Sequence, residues 1–479
     1  MPASSLLKLE NPATNEIFAS LTMPEAHHLH EMIAASRRAF TTWRWTPLAE
    51  RTAITQRFVE EMLKHREEIA REITQQMGKP LKQARAEVDT MAERARHLAA
   101  IAAEALADEI LPEKPGFFRK IAHQPLGVVV DIAAWNYPLL IAINIVAAAL
   151  LAGNTVLLKH SALTPLCALR MEDAFRAAGL PQGVMQAVVV DRTLGDLLVK
   201  SPQIDAVFFT GSVAGGYEVY RNAAAGLKRA GLELGGKDPA YVRADADLAF
   251  TAPNVADGAF YNCGQSCCAV ERIYVDRRIY NEFLEAFLAE VKSYKLGDPL
   301  AEETYLGPLA QKKQINVLQE QIAEAVSRGA KIMSGGNPAT VNGKGNYFEA
   351  TVLVNVTNDM KVMQEESFGP IIGIMPVSGD EEALRLMNDS RFGLTASIWS
   401  QDEEAASRLA PHIEAGTVYL NRCDYLDPAL PWLGYKESGL GCSLSRHGFE
   451  EVTKLKSYHF RKPAGNADKL ESPQGEISA

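Results

Sequence analysis

Gly127-Val-Val-Val-Asp-Ile-Ala-Ala-Trp-Asn-Tyr-Pro138 opens the most apolar stretch of the chain, which runs on to Gly153. The β-branched run has the composition of a buried strand, and Pro138 suits the first turn of a helix, where its missing N–H needs no partner. Asp131, Asn136, Pro138 and Asn144 interrupt the stretch. Unpaired polar groups are costly in lipid, so a buried strand–turn–helix is expected rather than a membrane span. The same unit recurs downstream. Residues 155–159, 187–190 and 206–209 are short apolar runs, with helical stretches at 139–151, 165–178 and 194–200 between them. Such alternation predicts a parallel, doubly wound α/β sheet with its ligand crevice at the carboxyl ends of the strands.

Upstream, apolar residues recur at helical spacing over 26–43 and 48–77, the latter closed by Gly78-Lys79-Pro80, and an Ala-rich helical pattern spans 81–106. Beyond Gly236 a second alternating series passes through 273–275, 371–377, 396–400 and 418–420. A chain of 479 residues exceeds what one core ordinarily holds, so a second α/β domain is expected. Residues 117–124 and 452–460 alternate apolar and polar side chains and read as surface or edge strands.

Composition narrows the function. A 47% hydrophobic, 23% charged chain is globular. The net charge of −10 comes without a basic block, which argues against nucleic-acid binding. The first residues lack an apolar secretory core, so a cytoplasmic location is expected and no membrane partner. Six cysteines without a CxxC pair make neither a disulfide framework nor a zinc site, and no metal is expected.

Four segments carry candidate chemistry. Asn262-Cys-Gly-Gln-Ser-Cys-Cys268 sets adjacent thiols after a Gly-Gln turn. Neighbouring side chains point in different directions, so only one thiol can face a given site. Glu233-Leu-Gly-Gly-Lys237 ends an apolar run with a carboxylate and two glycines, either an ordinary strand end or a base beside a close backbone approach. Trp135-Asn-Tyr-Pro138 is a capping turn that can also project an amide over the strand ends. Phe208-Phe-Thr-Gly-Ser-Val-Ala-Gly-Gly216 is strand, glycine turn and helix, the context of a phosphate-binding helix N-terminus, although its spacing is not GxGxxG.

Together these segments resemble the aldehyde dehydrogenase superfamily from about Leu9 to Phe460. The family's Gly-Gln-x-Cys motif matches Gly264 to Cys267 and so selects Cys267 over Cys268. Glu-Leu-Gly-Gly-Lys matches 233–237, and Trp-Asn-aromatic-Pro matches 135–138. Glu-Glu-x-Phe-Gly-Pro appears at 365–370 and Gly-x-Lys-x-Ser-Gly at 434–439.

The resemblance implies two doubly wound α/β domains plus a small β extension for oligomerisation. It assigns 1–106 and 126–235 to NAD(P) binding, 236–440 to a catalytic domain, 107–125 and 441–462 to oligomerisation strands, and 463–479 to a flexible tail. It further implies a small aldehyde as substrate, NAD or NADP as cofactor, and a homodimer or homotetramer. In this reading Cys267 attacks the aldehyde, Asn136 holds the oxyanion, and Glu233 activates water. Lys159 and Glu366 hold the riboses and Phe368 flanks the nicotinamide. Trp135, Ser161, Gly211, Ser212, Gly216 and Leu234 complete the cofactor contacts. Tyr137, Asn144, Ser266, Cys268 and Tyr425 would line the substrate pocket.

Three positions depart from the family pattern. Lys159-His-Ser-Ala162 lacks the Glu that many members use to bind the adenosine ribose, so tolerance of NADP is expected. Asn144 and Ile145 stand where relatives often carry a pocket residue and a Lys. Enzymes for dicarboxylic semialdehydes commonly have Arg at the first of these, and its absence argues against such a substrate, with Arg422 a carboxylate ligand from another loop. Asp424, Tyr425 and Asp427 of that loop fit an amino-aldehyde, although solvated loop charge is commoner. Two rivals remain, a CoA-acylating dehydrogenase, disfavoured by Glu233, and a catalytically silent nucleotide-binding protein of the same fold.

Overall fold

The computed structural model describes residues 6–461. The tail expected at 463–479 lies outside the described residues. The deciding stretch folds as strand Val128–Ala133 followed by helix Pro138–Leu151, all 14 of whose residues are buried. A helix that is apolar all round must be enclosed. At about 21 Å this one is also too short to cross a bilayer. Among the described residues no helix is long and apolar enough to span a membrane.

That helix is the centre of the first domain. It packs on helix Leu81–Ala105, and both belong to one apolar core that includes Phe58, Val146, Met171 and Phe208. The adjoining sheet has six strands, in the spatial order Gly439–Leu440, Arg229–Glu233, Ala206–Thr210, Val128–Ala133, Thr155–His160, Met185–Ala187. All pairings are parallel except the edge pairing of Gly439 with Glu233. Strand order reverses on either side of Val128–Ala133, so the crevice opens beyond Ala133, Thr210 and Glu233.

The second domain is a seven-stranded sheet ordered Lys331–Ser334, Thr351–Val354, Ile371–Val377, Val270–Asp276, Asp238–Val242, Thr395–Trp399, Thr417–Leu420. Only its edge strand Lys331–Ser334 pairs antiparallel. Strands buried on both faces, such as Val270–Asp276, account for the β-branched runs.

Several expected boundaries shift. The helical run 48–77 is two helices, Leu48–Lys64 and Arg66–Met77, broken at His65, whose ring nitrogen lies 3.2 Å from Glu68 in the first turn of the second helix. The strand expected at 187–190 is Met185–Ala187, because Val188 and Val190 pack into a separate apolar cluster beneath the sheet. Hairpin Leu6–Asn11/Glu16–Thr22 touches both units: its first strand lies against helix Arg66–Met77, and Asn15 Nδ2 donates to Asn346 Oδ1 at 2.9 Å. At the limit expected at 440, Gly439–Leu440 pairs with the edge of the first sheet. Helix Ser445–Glu451 follows, with Leu444, Phe449 and Val452 in the first core rather than in an extension.

Outside both domains, Phe117–Pro125 pairs antiparallel with Thr453–Arg461 and with Glu109–Ile110. Leu455 is 63% exposed and Phe460 51% exposed on this ribbon.

Candidate active site

The thiol loop is held in a backbone shape that few residues adopt. Asn262, Cys263 and Gly264 are successive left-handed residues, with φ of 52°, 58° and 69°. Such a run is strained and persists only when its surroundings fix it. Here Asn262 Nδ2 donates to the carbonyls of Asn136 and Gln265, each at 3.2 Å, and the Asn262 N–H reaches Gln83 Oε1 at 3.0 Å. Gln265 Oε1 accepts from Ala310 N–H at 2.8 Å, tying the loop to the next segment. A side chain at Gly264 would meet the Gly369 carbonyl at 2.4 Å. These contacts explain why glycine and glutamine precede the thiol.

The two thiols have different surroundings. Cys267 is half-buried and lines two clefts, whereas Cys268 is buried and donates to Asp424 Oδ1 at 3.0 Å. The Cys267 sulfur beside it, burial and the Asp424 carboxylate together push the Cys268 thiol well up. Cys268 therefore stays protonated at neutral pH.

One cleft, of about 210 Å³, is walled by helix Leu81–Ala105 through Gln83, Glu87, Thr90 and Arg94, by Tyr137, Leu140 and Asn144, and by Asp424, Tyr425 and Trp432. Glu233, Ser266, Cys267 and Cys268 form its floor. The four expected pocket residues besides Cys268, namely Tyr137, Asn144, Ser266 and Tyr425, all line it. Arg422 does not. It is exposed and stacks on the Tyr425 ring at 3.4 Å. Asp427 is also exposed and accepts the Ala429 N–H, a turn contact.

The second cleft, of about 300 Å³, contains Trp135, Asn136, Gly211, Ser212, Leu234, Glu366 and Phe368 beside Cys267. Ser212 also lines a third cleft of about 420 Å³ with Lys159 and Ala162. The two clefts share Ser212 as a wall. The glycines make room for them and for their walls. At Gly235 a side chain would strike the Glu366 carboxylate at 2.5 Å, and at Gly236 it would strike the Cys267 carbonyl at 2.3 Å. Ser212 caps helix Val213–Ala224, its Oγ accepting from Gly215 N–H. Ser161 and Gly216 line neither cleft. Ser161 Oγ accepts the Leu163 N–H, and Gly216 lies beneath the Leu234 side chain.

A buried ion pair fixes the far wall. Lys237 Nζ donates to Glu271 Oε2 at 2.7 Å and Ser367 Oγ at 2.9 Å, while Glu271 receives the N–H groups of Ser367 and Phe368. Phe368 is held at φ 48°, its ring edge-on to Trp135 at 5.4 Å. Burial, reinforced by Glu271, pushes the Glu366 carboxyl up to about 8, against the Gly236 N–H that it accepts at 3.1 Å.

Glu233 ends strand Arg229–Glu233 and accepts from Ser443 Oγ at 2.5 Å and Thr210 Oγ1 at 3.4 Å. Burial raises its carboxyl, and Ser443, Arg94 and Thr210 draw it back. Sequence reasoning missed Ser443, Thr210, Trp432 and Arg94. Only Arg94 left a trace, as a cation on the same helical face as Gln83, Glu87 and Thr90. Among the described residues no group of acidic, histidine or cysteine side chains forms a metal site.

Cys267 thus stands where the cavity that holds Glu233 meets the cleft that holds Asn136 and Ser212. The chain matches the model of the Aldehyde dehydrogenase family over residues 2–458. It is 34% identical to betaine aldehyde dehydrogenase of Bacillus subtilis, across 95% of this chain and 94% of that protein. It is 35% identical to succinate semialdehyde dehydrogenase Sad of Escherichia coli, named with NAD(P)+, across 95% and 98%. The crystal structure of betaine aldehyde dehydrogenase from Staphylococcus aureus with NAD+ superposes with a TM-score of 0.93 at 30% identity, covering 98% of this chain and 94% of that one. The chain belongs to the aldehyde dehydrogenase family, a family of NAD(P)-dependent oxidoreductases.

Proposed function

We propose that this protein oxidises a small aldehyde to the free carboxylic acid with NAD or NADP, through a thioester on Cys267. The observation that carries the reading is the position of Cys267, the one cysteine lining both the aldehyde-sized cavity and the dinucleotide groove.

Attack by the Cys267 thiolate on the aldehyde carbon forms a C–S bond and an alkoxide. Asn136, beside Cys267 in the groove, and the Cys267 N–H are the donors for that oxyanion. When bound, NAD(P)+ supplies the hydride acceptor, leaving the carbon at the oxidation level of a thioester. Glu233, as carboxylate, takes a proton from water as the water oxygen attacks the thioester carbon. The C–S bond then breaks, releasing acid and the Cys267 thiolate. Trp135, Gly211, Ser212, Leu234, Glu366, Phe368 and Lys159 form the cofactor groove. Its fit rests on the glycine approaches at 235 and 236 and the capped helix start at Ser212.

Hydrolysis is favoured over transfer to CoA because Glu233 stands in the floor of the cavity, hydrogen-bonded to Ser443. Intact-mass measurement of Glu233→Gln with aldehyde and NAD(P)+ tests the scheme. An acyl adduct lost in Cys267→Ala is expected, and no adduct with unchanged turnover would overturn it. Wild-type enzyme should release free acid without CoA.

The relatives' names include a cationic aldehyde and an anionic one, so they leave the substrate class open. We further propose a homodimer or homotetramer built through the exposed ribbon of Phe117–Pro125 and Thr453–Arg461, and a cytoplasmic location, where six unpaired cysteines stay reduced.

A further inference from the structure

Arg94 is a buried cation with no carboxylate in hydrogen-bond contact. It is 4% exposed and sits on the cavity-facing side of helix Leu81–Ala105. Its Nη1 donates to the Leu140 carbonyl at 3.4 Å and to Asn144 Oδ1 at 3.2 Å. Nε is buried with no partner, and Nη2 has none among the described residues. A guanidinium has five N–H donors. Of those left over, Nε is closed off by burial, so Nη2 is the donor that a carboxylate in the cavity can reach, in a charge-assisted hydrogen bond. Leaving charged donors unmet in a buried site is costly, and a ligand that meets them recovers the loss.

The acids of the same cavity already have partners. Asp424 Oδ1 receives Ser266 Oγ at 2.7 Å and Cys268 Sγ at 3.0 Å. Glu87 is paired with Lys79 and accepts the Leu139 N–H at 2.8 Å. Glu233 takes Ser443 and Thr210, and it reaches Arg94 only through space. Only Glu87 is matched by a cation; Asp424 and Glu233 are met by neutral donors, so what distinguishes the cavity is the unfilled donor capacity of Arg94.

Resting on the dehydrogenase reading above, we propose that the aldehyde carries a carboxylate and that Arg94, oriented by Asn144, binds it. The arginine comes from the neighbouring helix and reaches position 144, so asparagine there does not exclude an anionic substrate. Size agrees. A cavity of 150 Å³ accommodates benzene, so about 210 Å³ admits a ligand of about eight non-hydrogen atoms. That suits a semialdehyde of four or five carbons.

The experiment compares 4-oxobutanoate and 5-oxopentanoate with the near-isosteric neutral 4-methylpentanal and the cationic trimethylammonioacetaldehyde. We expect kcat/KM for one of the anions to exceed that for 4-methylpentanal by at least about 30-fold. In Arg94→Met the ratio should fall toward one, mainly through KM, with partial rescue in Arg94→Lys. Equal use of neutral and anionic aldehydes, or preference for the cation, would overturn the inference and leave the dehydrogenase reading standing. So would an unchanged ratio with both rates lowered, which marks a purely structural arginine. A wild-type measurement covers variants that do not fold. Glutarate should slow alkylation of Cys267 by iodoacetamide, and 1-pentanol should not. Absence of that protection counts against carboxylate binding. If no aldehyde is oxidised the dehydrogenase reading falls, and the protection assay still decides the binding claim.

Discussion

Ser443 donates its hydroxyl to Glu233 Oε1 at 2.5 Å, from a segment that also bridges back to Trp432 through paired backbone hydrogen bonds. Residues that are 210 positions apart thereby set the state of the carboxylate proposed to activate water. The hydroxyl favours the ionised form, while burial opposes it.

A pH profile should register this contact. The working form of Glu233 is the carboxylate, and burial raises its pKa, so kcat should fall as pH drops through that raised value. Removing the Ser443 hydroxyl takes away a stabiliser of the carboxylate and raises the pKa further. In Ser443→Ala the acid limb should move up by about one pH unit. An unmoved limb would mean that another group controls it.

The thiol pair separates by substitution. Cys267→Ala should abolish oxidation, whereas Cys268→Ala should retain most of it, because Cys268 is buried against Asp424 and held protonated. Steady-state rates on one aldehyde suffice, and the reverse pattern would reassign the nucleophile.

Asn136 is the side-chain donor proposed for the oxyanion. Asn136→Ala should lower kcat by about 100- to 1,000-fold. Cofactor affinity, read by fluorescence titration with NADH, should change far less, since the amide is assigned to substrate rather than dinucleotide.

The loop before Cys267 should resist change at Gly264. With φ at 69° and the Gly369 carbonyl in the way of a side chain, Gly264→Ala should cost about 1–3 kcal/mol and displace the thiol. A lower urea midpoint together with slower iodoacetamide alkylation would register both effects.

Cofactor choice turns on an absence. Ala162 is exposed in the cleft that also holds Lys159, so a carboxylate is missing at this one position, while Asp191, Asp196 and Glu218 line the same cleft beside Lys159 and Arg192. Both NAD and NADP should support turnover, with kcat/KM values within about 1,000-fold of each other. Ala162→Glu should shift the balance toward NAD by about tenfold or more through like-charge repulsion.

Much of this was legible in one dimension. Strand runs such as 371–377 were found to the residue, because the run is apolar throughout and its first four residues are buried on both faces. The apolar block after Pro138 announced an enclosed helix in the same way. Glycines 235 and 236 left close backbone approach open beside an ordinary turn, and Gly264 read only as a turn, until the structure placed the Glu366 carboxylate and the Cys267 and Gly369 carbonyls against them. The domain limits were less legible, since the return of Gly439–Leu440 to the first sheet is a pairing of two residues with no local signature.

Local pattern, then, determined the elements and the two α/β units, because burial restricts which residues a position accepts, while the thiol, carboxylate and amide were singled out by resemblance to a family's motifs. Folding alone decided that Arg94 meets Asn144 across 50 positions and that Ser443 meets Glu233. It also decided that one thiol of an adjacent pair opens onto both clefts. Those contacts depend on where distant segments come to rest. A lone arginine or serine looks the same in a sequence whether it faces water or an active site.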